Sequence, residues 1–207
     1  ENQILLDKID YEKESIIIDG KIYSLKNTCF QTIDSSNPSE LTSEEKQIVD
    51  SILASFQGSP KLTKHIELLM QKGSMYKLYN QHLLFHGCIP LKASGEFQPF
   101  VLHQAQYAGR ELLDFFEYHI RLASKNKEIG DDFSTDLIWY CWRGKSSPLF
   151  GKDKMTTFER YFIEDTNTHK EQENEYFSYR NSKKICQLIL EESNLFHQDR
   201  KSTRLNS

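Results

Sequence analysis

The chain has no excess of basic residues, no long apolar run and no clustered cysteines. Lysine plus arginine number 26 against 30 aspartate plus glutamate, a net charge of −4. No global positive field therefore favours DNA or RNA. No apolar stretch approaches the roughly 20 residues a membrane helix needs. The first residues lack the basic, then apolar, then small-residue order of a secretion signal. Cys29, Cys88, Cys141 and Cys186 are widely spaced, with no C-x-x-C pair, which argues against structural zinc. Reduced thiols in a cytosol are the simpler expectation, and a disulfide framework the weaker one. Also missing are G-x-S-x-G, H-E-x-x-H and the dinucleotide G-x-G-x-x-G. There is no internal repeat or low-complexity segment. What remains is globular in character: 207 residues, 38% apolar and 12% aromatic. That is enough for one domain with a core, or for a piece of a larger one.

Turn and cap signals divide the chain. "SIIIDGKIYSL" reads as a β-hairpin, with Asp19-Gly20 suited to a type I′ turn. A polar loop follows from Asp34 to Pro38. Thr42 and Glu45 have capping-box spacing, and Ile48, Val49, Ile52, Leu53 and Phe56 form one apolar stripe behind them. Gly58 ends that helix, and Ser59-Pro60 opens the next. Leu62, Ile66, Leu69 and Met70 are expected to line its buried face, and Gly73 to make a left-handed C-cap. A second hairpin is expected from Met75 to Tyr79 and His82 to Phe85 around Asn80-Gln81, its apolar return strand buried on both faces. Helices are expected over Ala108 to Ala123, Phe133 to Trp142 and Asn181 to Glu192, with a short one after Thr156. The final "DRKSTRLNS" is polar and aperiodic, and reads as an assembly or read-through scar.

Three places invite chemistry. His86 ends the run "LLFHG" at a strand's carboxyl edge. Neutral imidazole is a good ligand for Mn, Fe or Zn, and the following glycine gives a rigid, accessible turn. The alternative is a core histidine bonded to a carbonyl. "RGKSSPLFGKDK" carries Arg143, Lys145, Lys152 and Lys154 around two glycines. It suits phosphate binding through ammonium groups and backbone N–H donors, although it is not a P-loop. The alternative is a solvated basic turn. "WYCW", Trp139 to Trp142, fits sugar stacking or, by preference, packing in the core or on a neighbouring domain. The remaining histidines are scattered and read as surface or satisfied positions.

"LLDKIDYEKESIIIDGKIYSLKNTCFQTID", "KGSMYKLYNQHLLFHGCIPL" and "SPLFGKDKMTTFERYFIEDTNTHKE" resemble the middle part of class III fructose-1,6-bisphosphatases, the bacterial type found in Firmicutes. The likeness runs to about Leu195. "LLFHGCIPL" is also similar to the H-G-G-x-x-P block of calcineurin-like phosphatases, whose histidine binds metal. The resemblance implies an α/β fold: an incomplete calcineurin-like metallophosphoesterase sandwich, here an α+β fragment with β-hairpins and amphipathic helices. Residues 1–198 would be the middle of a single hydrolase domain, truncated at both ends, and residues 199–207 a non-native tail.

The implied reaction is hydrolysis of the 1-phosphate of fructose 1,6-bisphosphate to fructose 6-phosphate, a step of gluconeogenesis in the cytoplasm. In the family two Mn²⁺ ions, about 3.5–4 Å apart in such centres, generate hydroxide and clamp the phosphoryl oxygens. His86 would be a metal ligand, with Lys152, Lys154 and Arg143 on the sugar bisphosphate. The D-x-H, G-D-x-x-D-R and G-N-H-D motifs that precede this part in the family are absent, as is the later G-H. Most metal donors are thus expected outside this chain, no catalytic residue within it, and no activity from it alone. The rival expectations are a metallophosphatase for another substrate, such as a phosphoprotein, a non-catalytic phosphometabolite-binding module, and a helical packing insert. No nucleic-acid or membrane partner is expected, and oligomeric state is left open.

Overall fold

A computed structural model describes residues 5–125 and 132–193. They form an α/β structure of helices and small antiparallel sheets. The polar tail, 199–207, lies outside the described residues. The chain divides into two compact units, Glu1–Ile66 with Thr156–Lys170, and Glu67–Met155 with Glu171–Ser207.

In the first unit, β2 (Ser15–Ile18) and β3 (Lys21–Ser24) form the expected hairpin, in register Ile17 with Ile22. Asp19 and Gly20 both take positive φ, at 49° and 77°, which defines a type I′ turn. A two-residue strand, β1 (Ile9–Asp10), adds a third member that no run of alternating residues announced. Ile9, Ile16, Leu25 and Ile163 make the core, with Phe30, Phe158 and Phe162 packed around them. Ile163 follows the short helix α5 (Thr157–Phe162), and Lys26 N–H donates to the Phe162 carbonyl at 2.8 Å.

Helix α1 (Ser43–Gln57) carries the capping box. Thr42 Oγ1 accepts from Glu45 N–H, and Glu45 accepts from Thr42 N–H. Ser59 Oγ caps α2 (Pro60–Lys72) by accepting from Leu62 N–H. The burial expected for α2 fails, and the α1 stripe is uncovered as well. Neither has a buried residue, and Ile66 and Leu69 are 45% and 62% exposed. Local periodicity fixes the stripe but says nothing about whether a partner surface exists to cover it. Gly73 is not left-handed; the end of α2 is held by Arg121, which donates to the Met70 and Gly73 carbonyls.

In the second unit, β4 (Tyr76–Tyr79) and β5 (His82–Phe85) pair as expected across Asn80-Gln81, both at positive φ. Burial of β5 on both faces is corrected: Leu84 is 53% exposed and the sheet has only two strands, so one face meets solvent. A further hairpin, β6 (Phe100–Leu102) and β7 (Ala105–Tyr107), precedes α3 (Gly109–Lys125). α4 is Phe133–Arg143, and after a turn of helix α6 (Tyr176–Tyr179) the last helix is α7 (Lys183–Glu192). Leu112, Leu113 and Phe116 of α3 meet Leu137 and Cys141 of α4 and Ile185 and Ile189 of α7 in one core with Ile89 and Leu91. An aromatic shell surrounds it, with Tyr107 stacked on Phe115 at 4.1 Å and Phe100 against Tyr140 at 5.2 Å. In "WYCW", Cys141 is buried and Tyr140 half-buried, but Trp139 and Trp142 are 62% and 69% exposed. Successive helix residues are turned by about 100°, so four consecutive side chains point nearly all round the axis and cannot all face one core.

Candidate functional site

The site is a turn braced by a loop. β5 ends at Phe85, whose ring lies edge-on to Tyr176 at 5.9 Å. His86 follows, then Gly87 at φ +82°. A Cβ on Gly87 would stand 2.1 Å from the Pro148 carbonyl oxygen, so both the backbone angle and the close approach require glycine. Cys88 N–H donates to that same carbonyl at 2.8 Å. Cys88, Pro90 and Leu91 are fully buried behind the turn. Burial pushes the Cys88 thiol up to about 12, which keeps it protonated and makes it a packing group rather than a thiolate ligand.

The loop is anchored from the α4 side. Ser147 Oγ donates to the Cys141 carbonyl at 2.8 Å and accepts from the Leu149 and Phe150 amides. Asn174 ties the pieces together. Its side-chain oxygen accepts from Leu91 N–H and Tyr176 N–H, each at 3.0 Å, and its own N–H donates to the Gly151 carbonyl at 2.8 Å. Gly151, at φ +66°, closes on the Cys88 sulfur and the Phe177 ring.

The His86 side chain is exposed and makes no hydrogen bond among the described residues. Between the two readings of this residue, the buried imidazole bonded to a carbonyl is excluded. No group of three or more His, Cys, Asp or Glu side chains converges among the described residues. One imidazole cannot hold two cations, so these residues do not fit a complete dinuclear centre.

The basic residues of the loop separate. Lys152 is ion-paired with Glu171 and lines a cavity of about 160 Å³ with Lys92, Lys145, Gln98, Gln172 and Asn174. Asp153, Glu173 and Glu175 line it too, so its charge is balanced rather than strongly positive. Such mixed donors and acceptors suit a hydroxyl-rich ligand with an anionic group. Lys154 does not line this cavity, and neither does His86. Arg143 sits over the Trp139 ring at 5.5 Å from its centroid instead, a cation–π contact at an exposed face. Sequence reading missed Gln98, Gln172 and Asn174. Their roles depend on distant chain segments meeting, and no local pattern marks them.

The sequence profile of Firmicute fructose-1,6-bisphosphatase matches residues 1–203. The chain belongs to the Firmicute fructose-1,6-bisphosphatase family. It is 76% identical over 199 residues to the class 3 fructose-1,6-bisphosphatase of Streptococcus gordonii and 71% identical over 199 residues to that of Streptococcus sanguinis. Each alignment covers 96% of this chain and 31% of the relative. Against the class 3 fructose-1,6-bisphosphatase of Oceanobacillus iheyensis the identity is 51% over 193 residues, 93% of this chain and 30% of the relative. The chain thus spans about a third of the length of these relatives. No solved structure matches it. Among the described residues, no helix is long and apolar enough to cross a membrane.

Proposed function

We propose that this chain is the middle part of a cytoplasmic, metal-dependent fructose-1,6-bisphosphatase, and that residues 1–198 belong to one hydrolase domain of calcineurin-like type. The whole protein removes the 1-phosphate of fructose 1,6-bisphosphate. In that reading His86 is one ligand of a dinuclear Mn²⁺ centre whose other donors lie outside this chain. Lys152 meets the sugar bisphosphate from the cavity it lines, and Lys154 and Arg143, which do not line that cavity, are assigned to the ligand as further basic residues of the same loop. The observation that carries the reading is the position of His86. It is exposed, unbonded among the described residues, and set on a turn that Pro148 and Gly87 make rigid. A free imidazole on a fixed backbone is what a ligand position requires.

The test is His86→Ala in the full-length protein, with metal content and phosphate release measured together. Loss of bound Mn²⁺ with a fall in turnover of roughly a hundredfold supports the reading. Retained metal and near-normal turnover would falsify it.

The balanced cavity favours a second reading, a phosphometabolite-binding role independent of the metal. In that case Lys152→Ala weakens binding of fructose 1,6-bisphosphate in titration calorimetry, while His86→Ala leaves it unchanged.

A further inference from the structure

The α1 stripe of the first unit is an open apolar face. On α1, Ile48 (60% exposed), Ile52 (53%) and Phe56 (63%) repeat at i, i+4 and i+8, with Val49 and Leu53 beside them. A 15-residue helix with a well-formed cap and no buried residue keeps its apolar ridge in water, which is unfavourable. Single exposed apolar residues are ordinary; five on one stripe are not.

Charge on the two helix ends selects what covers the stripe. The first turn of α1 carries Glu44 and Glu45. The first turns of α2 carry Lys61, Lys64 and His65, with no acidic residue before Glu67. Only Gly58 and Ser59 separate the end of α1 from the start of α2. An antiparallel pair of α1 helices with its two-fold axis at Ile52 sets Ile48 against Phe56 of the other copy. The same register brings the acidic start of each α1 beside the basic start of the other copy's α2. A parallel pair would instead place acid against acid.

We propose that α1 is a self-association face, whose occupant is the α1 of a second copy of this chain, packed antiparallel through Ile48, Ile52 and Phe56. The contact is isologous, the commonest arrangement of soluble homodimers. Two short helices make a small interface, so the dissociation constant is on the order of micromolar or weaker.

Sedimentation velocity on the 207-residue chain over a concentration series tests this. The expected result is a monomer–dimer equilibrium. Ile52→Asp, at an exposed position, keeps the far-ultraviolet dichroism and raises the dissociation constant by about tenfold or more, because a charge then faces its own copy across the axis. Glu44→Lys weakens association several-fold, and adding Lys61→Glu restores it. A chain that stays monomeric to its solubility limit overturns the proposal. So does a dimer indifferent to Ile52→Asp, or a charge reversal that is not rescued. A full-length protein that stays monomeric yet is destabilised by Ile52→Asp assigns the stripe to an intramolecular neighbour, and also overturns it.

Discussion

Cys88 and Pro148 are joined by one backbone hydrogen bond of 2.8 Å, and it is this bond that sets the His86 turn against the basic loop. The two stretches that the sequence marks separately, "LLFHGCIPL" and "SPLFGKDK", are therefore one structural feature. Its tolerance to change can be stated from geometry.

Gly87→Ala strains the backbone at φ +82° and drives a methyl into the Pro148 carbonyl. A loss of about 2–4 kcal/mol is expected, combining the left-handed penalty with a backbone clash. Urea unfolding followed by tryptophan fluorescence checks it; a loss below about 0.5 kcal/mol would mean that the loop moves aside freely.

Asn174→Ala removes the acceptor for the Leu91 and Tyr176 amides. Two part-buried N–H groups lose their partner, at about 1 kcal/mol or more each. Hydrogen exchange at Leu91 should quicken in the variant. If it stays as slow as in the parent chain, another acceptor serves that amide.

Phe116 is completely buried between α3, α4 and α7. Phe116→Ala should cost about 3–5 kcal/mol, the range for emptying a large aromatic site. Thermal unfolding of the two proteins under one buffer condition measures this, and an unchanged midpoint would show that the site collapses without penalty.

His119 packs among Phe115, Tyr118 and Phe133, and its Nδ1 lies 2.9 Å from the Ser134 hydroxyl. Burial holds its pKa below the ordinary 6.5. The folded state therefore prefers the neutral ring, and the unfolded chain binds the proton first as pH falls. The stability from this group is complete above about pH 6.5 and declines as pH drops through the lower folded value. Unfolding free energies from pH 8 to 5 should show a slope that His119→Phe reduces; identical slopes would remove His119 as its source.

Glu159 is 4% exposed, and its Oε2 has no hydrogen-bond partner among the described residues. Replacing an orphaned buried carboxylate by an apolar group of similar size is neutral or stabilising by about 1 kcal/mol or more. Glu159→Met is expected to behave so in urea unfolding. A loss above about 2 kcal/mol would mean that the carboxylate has a partner elsewhere.

Local chemistry was legible, and distant pairing was not. Thr42 and Glu45, Asp19-Gly20, Asn80-Gln81 and Gly87 behave as residue type and spacing require, because each answers to neighbours within a few positions. The helices α3, α4 and α7 were legible for the same reason. The exposure of the α1 and α2 stripes was not, since periodicity shows which face is apolar and not what lies across from it. The site divides in the same way. Gly87 announces the turn at His86, but nothing near Asn174 in the chain signals its grip on Leu91, 83 positions away. The Lys152 cavity joins segments near positions 92, 145, 152 and 173, and Arg143 left the expected group for the adjacent Trp139 face.

Ile163 closes a core whose other members, Ile9, Ile16 and Leu25, leave the ribosome well over a hundred residues earlier. The early hairpin must therefore wait, incompletely covered, while residues 26–162 are synthesised. A nascent chain stalled just before α5 should leave Ile16 accessible to protease, and one released beyond it should not.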